Sequence, residues 1–316
     1  MTTPKKVDSS ATEPNNLTSE FGGRVLGAKD NVFAHNAWDH AEWTSDQEEK
    51  AQVTVARQKE GAVPEADQQK YHLDAAGYWD AFYTSNQNRF FKDRRWLRVE
   101  FPEVFAKLEA DPKQPCHVME IGCGAGNAFF PLLDECSEDS GLFAYACDFS
   151  ATAVDIVQKS PKYDPRRCKA FVWDLASPTL PAEVEPHSID IILLVFVFSA
   201  LHPDQWDQAI KNLTRLLRPG GLVMFRDYGR YDLAQLRFKQ GRLLSDNFYI
   251  RGDGTRVYFF TNDEIGRLFS PHFEILQNAV DRRLIVNRHK QLKMYRVWLQ
   301  GKFRWSPDAQ PSETQQ

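Results

Sequence analysis

Residues 117–127, His117-Val118-Met119-Glu120-Ile121-Gly122-Cys123-Gly124-Ala125-Gly126-Asn127, constrain the fold more than any other stretch. A short apolar run ends in a carboxylate and then in three glycines spaced G-x-G-x-G. This reads as a buried strand that turns sharply into a helix. Glycines at such a turn let a ligand approach the backbone without meeting a Cβ, and the helix start offers free N–H groups. A glycine turn alone suits any nucleotide-type fold, and the next strands narrow the choice. Phe143–Cys147 ends in Asp148, whose carboxylate can accept both hydroxyls of a ribose. Lys169–Trp173 ends in Asp174-Leu175, where an adenine amine can be held. Glu120 stands where a dinucleotide-binding turn usually has no acid. It suits a ligand with a cationic amino-acid end better than one with a pyrophosphate.

The 316 residues suffice for one large α/β domain with additions or for two smaller ones. No apolar stretch reaches membrane-spanning length; the longest, Ile189–Leu201, reads as a buried central strand. An N-terminus without an apolar h-region, carrying Asp8 and Glu13, argues against a targeting segment, so a cytoplasmic protein is expected. Five cysteines (116, 123, 136, 147 and 168) form no C-x-x-C pair, which predicts free thiols and no metal site. Net charge is −4, but its distribution is uneven. Residues 100–190 carry 7 basic and 16 acidic side chains, whereas residues 281–304 carry 8 and 1 and residues 89–98 carry 5 and 1. A chain that segregates charge in this way can offer a basic surface to a polyanion while staying acidic overall.

Residues 1–20 are polar with almost nothing to bury, predicting an unstructured tail. Phe33, Trp38 and Trp43 then lie among acids, as in a segment anchored onto another surface. Residues 46–83 read as helical with a break at Pro64. In Asn88-Arg89-Phe90-Phe91-Lys92-Asp93-Arg94-Arg95-Trp96-Leu97, aromatics alternate with cations, which suits either base stacking with phosphate contact or a docking helix with its rings inward. After the Asp111–Pro115 linker come strand 117–121, helix 127–135, strand 143–148, helix 150–159, and strands 169–174 and 188–199. Helix 204–217, a turn at Pro219-Gly220-Gly221 and strand 222–227 follow. Thr261-Asn262-Asp263-Glu264 is a capping-box sequence opening a helix to about Phe269, and strands 273–286 and 292–303 close an antiparallel hairpin. About thirty residues rich in Arg, Tyr and Asp lie between strand 222–227 and the capped helix, where a short connection would serve. Loops beyond the carboxyl ends of strands are where open α/β sheets build their sites.

This order of features resembles the class I S-adenosylmethionine (SAM) methyltransferases: an α/β, Rossmann-like fold with a seven-stranded mixed sheet, here with an N-terminal helical extension. The expected layout is a tail at 1–20, an extension at 21–110, a methyltransferase domain at 111–304 with a substrate insertion at about 228–256, and a tail at 305–316. Longer strings are more specific. Phe90–Leu97, Glu120–Asn127, Cys147–Ser150, Phe225–Asp232 and Asn247–Thr261 resemble the eukaryotic tRNA 3-methylcytidine methyltransferases over about residues 21–304. Val280–Asn287 and Met294–Gln300 look more like the threonine-tRNA branch than the serine-tRNA branch, so threonine tRNA is the expected substrate and serine tRNA the second candidate. The resemblance implies methyl transfer from SAM to N3 of cytidine 32 in the anticodon loop. A seryl-tRNA synthetase or another helper serves some relatives. It also implies cofactor contacts at Trp79, Tyr83, Gly122, Asp148, Asp174, Leu175 and Val195, to which the residue reading adds Glu120 and Gly124.

N3 of neutral cytosine has an in-plane lone pair and can attack a methyl sulfonium without prior deprotonation. The protein must then position the base and stabilise the charge growing on it. Asp227 and Asp93 are the candidates for a carboxylate near the exocyclic amine, and Phe90, Phe91 and Tyr228 for stacking. Lys92, Arg94, Arg226, Arg230, Arg251, Arg282 and Arg283 are candidates for tRNA phosphates or the carbonyl oxygen. Two other readings stay open on sequence: a small-molecule N- or O-methyltransferase, and a catalytically silent, tRNA-binding partner subunit of the same fold.

Overall fold

The computed structural model describes residues 23–111 and 114–307. The expected tail at 1–20 and all but the start of that at 305–316 lie outside the described residues. Along the chain come β1 (Ala37–Trp38), α1 (Ser45–Lys59), α2 (Glu65–Leu73), α3 (Ala75–Asn86), α4 (Leu97–Glu100) and α5 (Pro102–Ala110). Then follow β2 (Cys116–Ile121), α6 (Phe129–Glu135), β3 (Leu142–Asp148), α7 (Ala151–Gln158), β4 (Cys168–Val172), β5 (Ile189–Val195), α8 (Trp206–Leu216) and β6 (Leu217–Tyr228). The last part holds α9 (Leu233–Leu236), β7 (Leu243–Ser245), β8 (Phe248–Ile250), β9 (Arg256–Tyr258), α10 (Asn262–Phe269), β10 (Phe273–Asn287) and β11 (Leu292–Trp305).

The main sheet runs β1-β10-β11-β6-β5-β2-β3-β4, with β6 to β4 parallel and β11, β10 and β1 antiparallel. All seven residues of β5 are buried, because a strand with helices over both faces has no polar side to offer. Alternate residues of β2 divide between two cores. Met119 and Ile121 pack with α8 and α10, whereas Cys116 and Val118 pack with α5, α6 and α7. The sheet has eight strands among the described residues rather than seven, since β1 pairs its two residues with Leu284 and Ile285 at the edge. Trp38 anchors that addition on Leu284 and Val286.

Local chemistry sets the other boundaries. Thr44 with Gln47, and Thr261 with Glu264, form complete capping boxes at the starts of α1 and α10. β5 stops at Val195 rather than 199 because Phe196 has φ +61. β6 starts at Leu217, five residues early, since the Pro219-Gly220-Gly221 turn is absorbed as a bulge: Leu217 faces Ile189 and Leu222 faces Ile191. Strand β11 continues through Trp305, so that residue does not belong to the expected tail.

The insertion is a folded piece. Its strands β7, β8 and β9 make a separate antiparallel sheet, whose Leu244, Phe248, Ile250 and Tyr258 join the main core. The N-terminal helices hold it in place. The Gln58 side chain of α1 donates to the carbonyls of Gln235 and Phe238 at 3.0 and 2.9 Å and accepts from the Tyr249 hydroxyl at 2.8 Å.

Candidate active site

Two adjoining cavities open where β2, β3, β4, β5 and β6 end, sharing Trp79, Tyr83, Gly122, Phe196 and Ala200 as a common wall. The smaller, about 70 Å³, is a narrow slot between Asp148, Asp174, Leu175 and the side chains of Phe149, Trp173 and Leu201. The larger, about 350 Å³, is floored by Glu120, Gly122, Gly124 and Val195 and walled by Phe90, Phe91, Arg94, Tyr228, Arg251 and Trp298. All nine cofactor candidates therefore line one cavity or the other. Trp79 and Tyr83, one turn apart on α3, stack with ring centroids 5.8 Å apart and cover the glycine turn. A Cβ at residue 124 would run into the Tyr83 hydroxyl, which is why the lid needs glycine there.

The electrostatics of the slot follow from burial. Asp148 accepts from the backbone N–H of Gly124 and of Ser150, each at 2.9 Å, yet burial outweighs these bonds and pushes its carboxyl up to about 6. Glu120 is fully enclosed at the end of β2. Burial pushes it up to about 8 against the pull of the nearby Arg94 guanidinium. Its Oε2 has no hydrogen-bond partner among the described residues. An orphaned buried carboxylate oxygen facing a cavity calls for a ligand donor, and an ammonium meets that need. With Asp148 for a ribose and Asp174 for an adenine amine, these residues fit SAM, whose amino-acid end would lie over Glu120 and Gly124.

The FFKDR segment is tied to the glycine turn. Asn127 donates from Nδ2 to the carbonyl of Phe91 and to Asp93 Oδ1, both at 3.2 Å, and the Arg94 N–H donates to the Asn127 carbonyl at 2.7 Å. This brings Phe90, Phe91 and Arg94 to the large cavity. Phe90 is 60% exposed at its mouth, so the segment is not merely a docking helix with buried rings. The Arg94 guanidinium lies over the Phe196 ring at 4.9 Å.

Several sequence candidates stand elsewhere. Asp227 is fully buried, accepts from the N–H of Ser199 at 2.9 Å and of Tyr228 at 2.8 Å, and does not line the cavity. It sets the cavity wall rather than facing a base, and burial raises its carboxyl to about 6. Asp93 is exposed and opens onto a different surface hollow. Lys92 is exposed. Arg226 is 3% exposed, sandwiched between the Trp96 and Trp298 rings and bonded to Asp281 and Gln300, so it has no reach to a phosphate. Arg283 is likewise spent on Glu100 at 2.6 Å and Asp281 at 3.0 Å. Arg230 is bonded to Glu264 and lines a separate hollow with the exposed Arg282. Tyr228 and Arg251 do line the large cavity, with the guanidinium 5.6 Å from the ring centre.

Sequence reasoning gave no role to Phe196, Asp253, Arg296 or Trp298, all of which line the large cavity. Phe196 offered a faint signal only, an aromatic just past the end of a buried apolar run. Its left-handed backbone angle, costly for a bulky residue, aims the ring toward Tyr228 at 4.9 Å. Among the described residues no cluster of three or more His, Cys, Asp or Glu is arranged to hold a metal ion.

Comparison with known proteins agrees with this geometry. The family described as a methyltransferase domain matches residues 119–223. The chain has the fold of the SAM-dependent methyltransferase from Anabaena variabilis, at a TM-score of 0.55 and 18% identity over 73% of this chain and 95% of that one. It is 51% identical to tRNA N(3)-methylcytidine methyltransferase trm140 of Schizosaccharomyces pombe, over 95% of this chain and 96% of that one. It is also 50% identical to the tRNA(Thr) (cytosine(32)-N(3))-methyltransferase of Saccharomyces cerevisiae, over 91% of this chain and 46% of that longer protein. Identity at this level, spanning the FFKDR segment and the insertion as well as the glycine turn, goes beyond a shared sheet: the chain belongs to the tRNA N(3)-cytidine methyltransferase family.

Proposed function

We propose that this protein methylates N3 of cytidine 32 in the anticodon loop of tRNA, threonine tRNA foremost, using SAM. The observation that carries the reading is the shared wall: a slot bounded by Asp148 and Asp174 opens into an aromatic cavity edged with guanidinium groups. The bound cofactor supplies a methyl group on a positively charged sulfur. Asp148 accepts the ribose hydroxyls, Asp174 and Leu175 hold the adenine edge, and Glu120 takes the ammonium. N3 lies on the pairing edge, so the base must leave the loop stack and enter the cavity. There Phe91, Phe196 and Tyr228 provide ring faces, which hold a flat base and favour the cation it becomes. No general base is required, and the cavity thiol, Cys123, is held protonated because burial raises it.

Phe90 at the mouth and Arg94 in the wall, with the exposed Lys92 and Arg282 on the surface, supply contacts for the loop backbone. Among the described residues no helix is long and apolar enough to cross a membrane. A tRNA substrate supports a cytoplasmic place of action, with an aminoacyl-tRNA synthetase or another helper as a candidate partner. The test is to incubate the protein with labelled SAM and unmodified threonine tRNA, with and without cell extract, and digest the product. Label in 3-methylcytidine is expected. Its absence under both conditions overturns the reading, and tRNA binding without any SAM binding points to a silent partner subunit instead.

A further inference from the structure

Besides Arg296, which pairs with Asp232, the large cavity holds four acidic or basic side chains that form no ion pair among the described residues: Glu120, Arg94, Arg251 and Asp253. Glu120 and Arg94 sit together at the cofactor end, where the guanidinium pulls on the carboxylate. Asp253 and Arg251 belong to one tight turn of the insertion. Arg251 N–H donates to the Thr255 carbonyl at 2.8 Å and Gly254 N–H to the Arg251 carbonyl at 3.1 Å. Gly254 has φ +83 and lies against Tyr78 of α3, where a Cβ would strike the ring. The turn is thus fixed before any ligand arrives.

Thr255 orients both charged groups. Its N–H and Oγ1 donate to Asp253 Oδ1 at 2.9 and 2.7 Å, leaving Oδ2 of this exposed side chain with no hydrogen-bond partner among the described residues. Its Oγ1 also accepts from Arg251 Nη1 at 3.4 Å, with the guanidinium lying over the Tyr228 ring. One turn therefore offers a hydrogen-bond acceptor and a donor beside an aromatic face. The Watson–Crick edge of cytosine presents a donor amine at C4, the N3 lone pair, and an acceptor at O2. Uracil puts an acceptor where the carboxylate stands and a proton on N3.

We propose that Asp253 accepts a hydrogen bond from the C4 amine of the target cytosine and that Arg251 donates to its O2. This rests on the cytidine-N3 reading above. In the step, the N3 lone pair forms the new N–CH3 bond while the electron pair of the breaking C–S bond stays on sulfur. No proton leaves, and the positive charge passes to the base. The C4 amine becomes more acidic as that charge grows, so its bond to Asp253 strengthens toward the transition state. Asp253 then raises rate more than affinity.

Single-turnover methylation of two anticodon stem–loops tests this, one carrying cytosine at the target and one carrying 2-pyrimidinone, which lacks the amine. The wild-type protein is expected to favour cytosine, and Asp253→Ala to reduce that preference by roughly 10- to 100-fold, the usual worth of a charge-assisted bond. SAM affinity, measured by calorimetry, stays at the wild-type value and reports an intact fold. Asp253→Asn, which keeps the shape of the turn, should lose the preference in the same direction. A target of 2-thiocytosine should cost the wild-type protein rate and cost Arg251→Ala little further. If the wild-type protein methylates cytosine but both variants keep its preference over 2-pyrimidinone, Asp253 does not read the amine. If the wild-type protein makes no 3-methylcytidine, the cytidine-N3 reading falls and this assignment with it.

Discussion

A buried carboxylate with one oxygen unpartnered, as in Glu120, is held neutral until a cation reaches it. Its folded pKa of about 8 lies above the value of 4.5 expected when unfolded, so the stability it contributes is full below about pH 4.5 and is lost as pH rises through 8. Ammonium pairing requires the ionised form, so cofactor binding at pH 7 should release close to one proton. Calorimetry in buffers of different ionisation enthalpy measures this. Glu120→Gln should abolish the buffer dependence and weaken SAM, whereas a wild-type proton count of zero argues that the ammonium is bound elsewhere. Asp227 makes a different prediction from the one its sequence position invited. Because it accepts two backbone N–H groups in the cavity wall, Asp227→Asn points an amide at one of them. The expected result is a loss of about 1–3 kcal/mol in stability together with a slower methylation rate. A urea melt at the wild-type midpoint would return Asp227 to a purely chemical role.

Among the elements, the insertion and the β10–β11 hairpin carry what is particular to this chain. Gly254→Ala should lift the Arg251–Thr255 turn off α3. A strained backbone and a blocked contact together cost about 1–3 kcal/mol, and methylation should fall further than SAM affinity does, seen by comparing single-turnover rates with calorimetry. On the hairpin, burial separates neighbours in sequence. Arg282 and Lys293 are exposed, whereas Arg283 neutralises Glu100 and Asp281. Arg282→Ala with Lys293→Ala should lower the slope of log affinity for tRNA against log salt by roughly one unit per lost phosphate contact. Arg283→Ala should instead lower the melting temperature, since the buried Glu100 loses the cation hydrogen-bonded to it, while Asp281 keeps Arg226. An unchanged salt slope in the double variant removes the hairpin from the tRNA surface.

Across the folded chain, what the sequence made legible was local. The glycine turn, the acids ending β3 and β4, the capping boxes and each strand of the long hairpin declare themselves within about fifteen residues, through the backbone needs of a single turn or strand. The cavity wall was not legible in that way. Arg226 looks like a free cation in sequence and is buried because Asp281, 55 residues on, closes against it. Phe196 hides inside an apolar run, and its backbone angle, which only the folded chain reveals, is what turns it into the site. Asp253 was visible in the insertion, but its place on the lining of the large cavity depends on Tyr78 and Thr255, partners that periodicity cannot assign. Whether the assembled cavity methylates one cytidine at N3 is read from a position-resolved map of the product. Threonine tRNA is methylated with labelled SAM, cut around the anticodon loop and sequenced by mass, alongside a copy in which only cytidine 32 is replaced by uridine. One 3-methylcytidine at position 32 is expected in the first and no label in the second; label that survives the replacement, or that sits on another base of the first, overturns the assignment to cytidine 32.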